Sequence, residues 1–318
     1  MYFIGVDLGG TNMASALMDE KGNVYHTNVI ATEAYKGPKH VIDNMKNEIR
    51  KLIEKTPTSR VDGIGLGIPG LIDIERGYSR FAGNLGWQNV PVLDEFKKEF
   101  DVPICMDNDV RVAALGEKYF GAGVGVKNQI LVTLGTGVGS GIIIDGKLHR
   151  GYSASAGEIG HVCIEKDGYF CNCGNRGCLE MYVSAPGIVR RTKRYIMEGH
   201  FTIITSMVND ELSKITPKIV SEAADKGDGL ARLIIDETAK LLGIGLATYA
   251  HIINPELIIV GGGVSLMGDK LFVPLRKYFD EHLMMSLRGK VSIVPSKLKD
   301  QSGMIGAAAL SMLELGVL

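Results

Sequence analysis

The chain has 318 residues, of which 45% are hydrophobic and 22% are charged, and its 35 Lys and Arg nearly balance its 36 Asp and Glu to give a net charge of −1. This length and composition are typical of a soluble globular protein with two domains. The balanced charge, without a long basic run, disfavours nucleic acid as a main partner.

The sequence shows no pattern for export or membrane insertion. The first ten residues, MYFIGVDLGG, lack the basic region and long apolar run of a signal peptide. The most apolar later region, residues 241–263, contains His251, Asn254 and Glu256, which disfavours a membrane span. We therefore expect no membrane partner and a reducing, cytoplasmic setting.

The chain opens on a strand pattern broken by a glycine turn. Residues Tyr2–Asp7, Met13–Met18 and Val24–Ala31 are rich in strand formers, and together they predict a β-meander. The Gly-Gly-Thr turn at residues 9–11 is open to two interpretations. It is either a simple hairpin turn or a loop whose N–H groups and hydroxyl bind phosphate.

The same pattern returns later in the chain. The segment ILVTLGTGVGSGIIID at residues 130–145 aligns with IGVDLGGTNMASALMD at residues 4–19 at one fixed offset. A repeated hairpin with a glycine-hydroxyl turn in each copy indicates a duplicated domain. Two such domains could hold a nucleotide from opposite sides.

The other elements follow from hydrophobic period and turn signals. Polar residues Asp107, Asn108 and Asp109 stand where a strand meets a helix, a place well suited to a site. Ser302 is predicted to cap the last helix, which runs to about Glu314. The predicted helices are 38–54, 92–100, 110–120, 186–197, two short pieces within 214–228, 229–253 and 270–284, and the predicted strands are 62–68 before Pro69-Gly70, 102–106, 257–260 and 291–294, with a polar loop at 84–87.

A cysteine cluster predicts a metal site. His161, Cys171, Cys173 and Cys178 lie within eighteen residues and can supply all four ligands of a tetrahedral Zn²⁺. A complete Cys3His set leaves no open position, so the predicted zinc is structural. Cys171 and Cys173 are too close for an easy mutual disulfide, and Cys163 remains an alternative to His161 as the fourth ligand.

Several motifs together resemble one family. DLGGT at residues 7–11, LGTGVGSG at 134–141 and IVGGGV at 259–264 resemble the nucleotide-contacting segments of the actin-like ATPase and sugar kinase superfamily. GEIGH at 157–161 followed by CNCGNRGCLE at 171–180 is similar to the signature of the ROK family of kinases and repressors. NLGWQNVPV at 84–92 resembles the ROK glucokinases.

This resemblance implies an α/β fold of two ribonuclease-H-like (actin-like ATPase) domains around a central cleft. The implied first domain takes residues 1–112 plus 303–318, and the second takes residues 113–302 with the zinc loop. The resemblance also implies a homodimer or homotetramer. It further implies ATP as the phosphoryl donor, Mg²⁺, and a hexose, most of all glucose, as the acceptor. ROK repressors carry a DNA-binding domain ahead of the first strand, so a DNA-binding role is not expected here.

The resemblance also assigns roles to residues. Asp109 is the expected general base, although it or Asp107 could instead cap the following helix, and Asp7 is expected to orient Mg²⁺. Many relatives have Lys after the Gly-Gly-Thr, where this chain has Asn12. The expected donor-binding residues are Gly9, Gly10, Thr11, Asn12, Gly135, Thr136 and Gly137 for the phosphates and Gly261, Gly262 and Gly263 for the adenosine.

Sugar recognition needs a ring of donors and acceptors. If one nitrogen of His161 binds zinc, the other carries a proton and can donate to a sugar hydroxyl. Trp87 is interpreted either as a packing residue or as a sugar platform. The expected sugar-binding residues are Gly70, Asn84, Asn108, Asp109, Glu158, His161 and Glu180.

Three alternatives stay open. The acceptor could be N-acetylmannosamine, N-acetylglucosamine or another hexose, because the sequence does not show whether the pocket has room for an acetamido group. The donor could be ADP or polyphosphate. A sugar-sensing regulator without catalysis is the non-enzymatic alternative, and the intact Asp109 and glycine loops disfavour it.

Overall fold

The computed structural model describes all residues from 1 to 318 as two compact units. The first unit consists of Met1–Lys127, Gly141–Ala156 and Ser296–Leu318, and the second consists of Asn128–Ser140 and Gly157–Pro295. The domain boundaries expected from the sequence differ from this division and stay a prediction.

Thirteen strands and ten α-helices follow one another along the chain. The first part contains β1 (Tyr2–Leu8), β2 (Asn12–Asp19), β3 (Val24–Ala31), α1 (Pro38–Glu54), β4 (Gly63–Ile68), β5 (Leu71–Asp73), β6 (Tyr78–Ala82), β7 (Trp87–Val90), α2 (Val92–Lys97), β8 (Ile104–Asn108) and α3 (Asp109–Phe120). The remainder contains β9 (Gln129–Leu134), β10 (Val138–Ile144), β11 (Lys147–His149), α4 (Glu180–Val183), α5 (Ala185–Met197), α6 (Ile204–Met207), α7 (Pro217–Asp225), α8 (Gly229–Ile253), β12 (Leu257–Gly261), α9 (Asp269–His282), β13 (Ser292–Pro295) and α10 (Ser302–Glu314).

The two main sheets have the same topology. Their strand orders are β3-β2-β1-β4-β8 and β11-β10-β9-β12-β13, so each begins with a meander and continues into two parallel strands. The duplication predicted from the aligned segments 4–19 and 130–145 is therefore confirmed in the strand order. The fold is mixed α/β, as expected.

In the first unit, glycines in two central strands let helix α10 lie close to the sheet. A Cβ built on Gly5 would lie 1.8 Å from the Met304 carbonyl oxygen, and one on Gly65 would lie 1.7 Å from that of Ala307. On the other face, α1 buries Val41, Met45 and Ile49 in a core that includes Trp87. Removal of this apolar area from water is the main force that holds α1 on the sheet.

Two local predictions differ from the structure in part. The loop predicted at residues 84–87 is present up to Gly86, and Trp87 begins β7 of a three-stranded antiparallel sheet, β5-β6-β7, where it is only 1% exposed and acts as a packing residue. Ser302 does not cap α10 but is its first residue. Its hydroxyl donates to the buried carboxylate of Glu117, which also accepts from the Ser296 hydroxyl and the Leu298 N–H, because a buried charge needs such donors.

In the second unit, the long helix α8 packs closely on α9. A Cβ on Gly243 would lie 2.9 Å from the Phe279 nitrogen, which confirms that this interior glycine serves helix packing. None of the helices combines the length and the apolar character that a membrane crossing requires.

Candidate active site and metal centre

Two carboxylates lie together at one edge of the first unit's sheet. Asp7 is near the end of β1, and Asp109 follows the end of β8, with β4 hydrogen-bonded between these strands. Gly67 of β4 leaves the space between them, because a Cβ there would lie 3.4 Å from Asp7 Oδ1 and 3.5 Å from the Asp109 Cα. Carboxyl ends of parallel strands are a common place for ligands in α/β proteins.

Burial shifts both carboxylates toward neutral pKa values. It raises the pKa of Asp109 to about 6, although the Val110 N–H and the Arg111 guanidinium act in the opposite direction. Burial, together with the charge of Asp109, raises the pKa of Asp7 to about 7. A carboxylate with such a pKa can accept a proton at neutral pH, and a second carboxylate beside it can attract a hard cation.

Replacing Asp7 by Asn is expected to stabilise the free protein in a pH-dependent way. The folded-state pKa of Asp7 lies above the unfolded value, so its stability contribution is complete at low pH and is lost as the pH rises from about 4 through about 7. The melting temperature of Asp7→Asn should therefore exceed that of the wild type by several degrees at about pH 8 and by much less at about pH 5. Scanning calorimetry without Mg²⁺ checks this, and the exposed Asp43→Asn is the control. An equal shift at both pH values would contradict it.

Asn108 connects the carboxylate edge with another predicted residue, Gly70. Its side-chain oxygen accepts from the Val110 and Arg111 N–H groups, so Asn108 is the cap of α3, and neither Asp107 nor Asp109 is. Its amide nitrogen donates to the Gly70 carbonyl over 3.2 Å. Gly70 has a φ of 86°, and a Cβ there would meet the Phe81 carbonyl at 2.2 Å, so only glycine fits.

The first glycine turn contacts another predicted sugar residue. A Cβ on Gly10 would lie 3.0 Å from the Asn84 Cβ, so the turn and Asn84 are neighbours. The turn is held by the Gly9 N–H, which donates to the Asn12 carbonyl, and by the Thr32 hydroxyl, which donates to the Gly9 carbonyl. Thr11 and Asn12 are exposed at this turn. The first unit thus links Asn84 to Gly10, Gly70 to Asn108, and Asp7 to Asp109.

Sequence reasoning missed a buried ion network behind Asp109. Asp107 is fully buried, and its two oxygens accept from Arg111 and Arg150, each over 2.6 Å. Arg111 also donates to the Ala154 carbonyl over 2.6 Å, so the network joins the β8–α3 junction to the loop before Ala156. The i,i+4 spacing of Asp107 and Arg111 was a signal for one of these pairs. No local sequence pattern indicated that Arg150 pairs with Asp107.

Removing Arg111 is expected to destabilise the protein strongly. Arg111→Met leaves the buried Asp107 with one cation instead of two, and the loss of a partner from a buried ion pair costs about 3–5 kcal/mol. Urea unfolding should show this loss in the free energy of unfolding, while the exposed Arg60→Met should change it by less than about 0.5 kcal/mol. Equal stabilities of the two variants would contradict the role of the network.

The four predicted zinc ligands form one cluster in the second unit. The ligand atoms of His161, Cys171, Cys173 and Cys178 all lie within 4.8 Å of one another. The Cys173 and Cys178 sulfurs are 3.6 Å apart, as are Cys171 Sγ and His161 Nδ1. Tetrahedral zinc with ordinary bond lengths requires edges of about 3.8 Å between sulfurs and about 3.6 Å between sulfur and nitrogen. The donor set and its geometry therefore fit a structural zinc, and the exposed Cys163 is not among the four.

The two ring nitrogens of His161 have different surroundings in the four-residue cluster. Nδ1 faces Cys171, while Nε2 lies 3.9 Å from Glu158 Oε2. If Nδ1 binds the metal, Nε2 must carry the proton and is a donor on the side of Glu158. In that case, Nε2 is the nitrogen available for the predicted donor role of His161. Tyr249, a further residue that is affected by Glu158, was not singled out from the sequence. Burial, together with the charge of Glu158, raises the pKa of Tyr249 to about 12.

Two of the predicted nucleotide segments meet in the second unit. The turn between β9 and β10 is closed by the Gly135 N–H, which donates to the Gly137 carbonyl, and Thr136 is exposed at its tip. Gly262 has a φ of 82°, and a Cβ there would lie 2.5 Å from the Leu134 carbonyl oxygen. The glycine segment after β12 therefore packs directly on the strand end that carries the turn, with Gly261 as the last residue of β12 and open space at Gly263.

Comparison with known proteins gives matches over nearly the whole chain. A model of the ROK family matches residues 3–313. A glucokinase of Halalkalibacterium halodurans is 37% identical over 312 residues, which cover 97% of this chain and 94% of that enzyme. The xylose repressor of Caldicellulosiruptor bescii is 34% identical over 309 residues, which cover 96% of this chain and 77% of the repressor.

A solved structure gives the same result for the fold. The crystal structure of a ROK family glucokinase from Streptomyces griseus in complex with glucose and AMPPNP matches with a TM-score of 0.87 and 34% identity, covering 98% of this chain and 100% of that chain. This match confirms the actin-like ATPase class expected from the glycine motifs.

Proposed function

Since this chain belongs to the ROK family, we propose that it is a sugar kinase that transfers a phosphoryl group from ATP to a hexose, with glucose as the acceptor and glucose 6-phosphate as the product. The observation that carries the proposal is the pair Asp7 and Asp109 at the strand ends of the first unit, both with pKa values raised toward neutrality. Resemblance to two glucokinases supports glucose as the acceptor.

Asp109 acts on the acceptor hydroxyl in this proposal. Its carboxylate accepts the proton while the hydroxyl oxygen bonds to the γ-phosphorus and the bond from that phosphorus to ADP breaks. Asn108 fixes the residue before it by capping α3 and by donating to the Gly70 carbonyl. Phosphoryl transfer depends largely on such positioning, because the reaction itself needs little covalent chemistry from the protein.

The glycine segments bind the donor. Backbone N–H groups at residues 9–12 and 135–137 meet the phosphates, and residues 261–263 admit the adenosine because they carry no side chain. Asp7 would hold Mg²⁺, and the bound ion would supply neutralisation of the phosphate charge. Asp7 fits that task because it is a carboxylate at a strand end, with no cation paired to it in the first unit and a pKa that bound Mg²⁺ would lower.

Residues of the metal segment bind the acceptor. Glu158, His161 and Glu180 provide acceptors and one donor for sugar hydroxyls, and Gly70, Asn84 and Asn108 provide the remainder. The zinc that the four ligands would hold supplies rigidity and fixes the donor nitrogen of His161. The proposed acceptor site therefore needs an ordered metal cluster before it can recognise a hexose.

A panel of acceptors tests the substrate assignment. Initial rates of ADP formation should be measured with glucose, mannose, fructose, allose, N-acetylmannosamine and N-acetylglucosamine, each with ATP, ADP or polyphosphate as donor. Glucose with ATP should give the highest kcat/KM. A higher value for an N-acetylhexosamine would reassign the acceptor. No turnover with any pair of acceptor and donor would favour the sugar-sensing regulator, an alternative that the similarity to the xylose repressor supports.

A further inference from the structure

The segment after the metal cluster is hydrogen-bonded to the glycine turn between β9 and β10. Glu180 begins α4 two residues after Cys178, and its Oε2 accepts from the Val138 N–H over 2.9 Å. The same oxygen would lie 2.7 Å from a Cβ on Gly137, so the carboxylate lies directly against the turn. Five residues later, the Ala185 N–H donates to the Gly135 carbonyl over 2.8 Å. One side of the turn is thus hydrogen-bonded to the first residue of α4 and the other to the first residue of α5.

The segment before the metal cluster packs on the same strand. The Ser140 hydroxyl donates to the Gly157 carbonyl over 2.6 Å. A Cβ on Gly160, which precedes His161, would lie 2.3 Å from the Val138 carbonyl oxygen. The ligands His161 and Cys178 are therefore each flanked by residues that contact β10 where it leaves the turn. The cluster and the turn form one continuous packed structure within the second unit.

We propose that Glu180 is a positioning residue for the phosphoryl donor as well as a sugar ligand, and that the metal cluster anchors it in that role. Its Oε2 holds the Val138 N–H and so fixes the turn at residues 135–138, while Oε1 is the oxygen left for a sugar hydroxyl. One carboxylate thereby couples acceptor binding to donor binding, and the coupling is reciprocal by linkage. This inference depends on the proposed function, which makes the turn a phosphate loop.

The test measures donor binding without any sugar. Titration calorimetry with a non-hydrolysable ATP analogue and Mg²⁺ should give a Kd about fivefold higher for Glu180→Ala than for the wild type, since one hydrogen bond that orders the turn is lost. Glu180→Gln should restore most of the donor affinity, because its amide oxygen can accept from the same N–H, while its glucose affinity stays low. Glu281→Ala is the control, because Glu281 is exposed in the same unit and lies outside the proposed site, and it should leave both the donor Kd and the glucose Kd unchanged.

Removal of the metal gives a second readout. Protein treated with a chelator and checked for zinc content should show the same rise in donor Kd as Glu180→Ala, and metal-free Glu180→Ala should show little further rise. The inference would be overturned by equal donor Kd values for the wild type and Glu180→Ala, provided that circular dichroism shows both proteins to be folded and that both carry zinc. Failure of the wild type to bind the analogue would instead overturn the proposed function.

Discussion

Replacing Asp109 by Asn is expected to lower kcat by about a hundredfold or more while glucose still binds. The amide has nearly the same shape and can hydrogen-bond the acceptor hydroxyl, but it cannot take the proton. The Kd for glucose, from titration calorimetry, should stay within about threefold of the wild-type value, while kcat, from a coupled assay, falls. The exposed Asp43→Asn, a matched change in the same unit, should leave both values unaltered.

The pH dependence of turnover gives a second test of Asp109 as the general base. Since burial raises the pKa of Asp109 to about 6, the base loses its function as the pH falls through that value. At saturating glucose and Mg²⁺-ATP, where the bound ion keeps Asp7 ionised, the plot of log kcat against pH should therefore bend downward below about pH 6 in the wild type, and the residual activity of Asp109→Asn should lack this bend. Unchanged turnover in Asp109→Asn would remove Asp109 from the base role.

Loss of the metal is expected to abolish high-affinity sugar binding. The cluster holds His161 and lies two residues from Glu180, so without it the loop loses the constraints that aim both side chains. Cys173→Ser, at an exposed ligand position, should bind less than one zinc per chain and should bind glucose at least about tenfold more weakly.

Cys163→Ser is the matched control for the metal prediction. Cys163 is exposed, stands two residues after His161 and lies outside the four-ligand cluster, so its variant should retain one zinc and the wild-type glucose Kd. Loss of zinc from this variant would make Cys163 a ligand and would contradict the cluster. Unchanged glucose affinity in zinc-free Cys173→Ser would contradict the link between metal and sugar site.

Much of the fold could be predicted because its signals are local. The alignment of residues 4–19 with 130–145 at one fixed offset predicted a duplicated domain, which the structure contains as two sheets of equal topology. Hydrophobic periodicity predicted α1 and α8 with their observed bounds. The zinc ligands could be predicted for the same reason, since their spacing is confined to one short segment. Hydrophobic periodicity did not predict the sheet β5-β6-β7, because its short strands offer too few residues for an alternation to be recognised.

The contacts that give the site its chemistry could not be predicted, because they join distant residues. The pair Asp107 and Arg150 spans 43 positions, and no local pattern indicates it. Gly303 is a further case, since a Cβ there would lie 1.9 Å from the Asp7 carboxylate, so the second residue of the last helix must be glycine to leave room for a residue of the first strand. Glu180 was interpreted from the sequence as a sugar ligand alone, and its bond to Val138 emerged only from the structure.

The most direct measurement follows the phosphoryl group itself. ³¹P NMR of the protein with ATP, Mg²⁺ and glucose should show glucose 6-phosphate and ADP appearing in equal amounts, and almost no ADP when glucose is omitted, because water is a poor acceptor in a site that is completed by sugar. ADP released at the same rate without sugar, or no phosphorylated hexose at all, would contradict a sugar kinase whose base is Asp109.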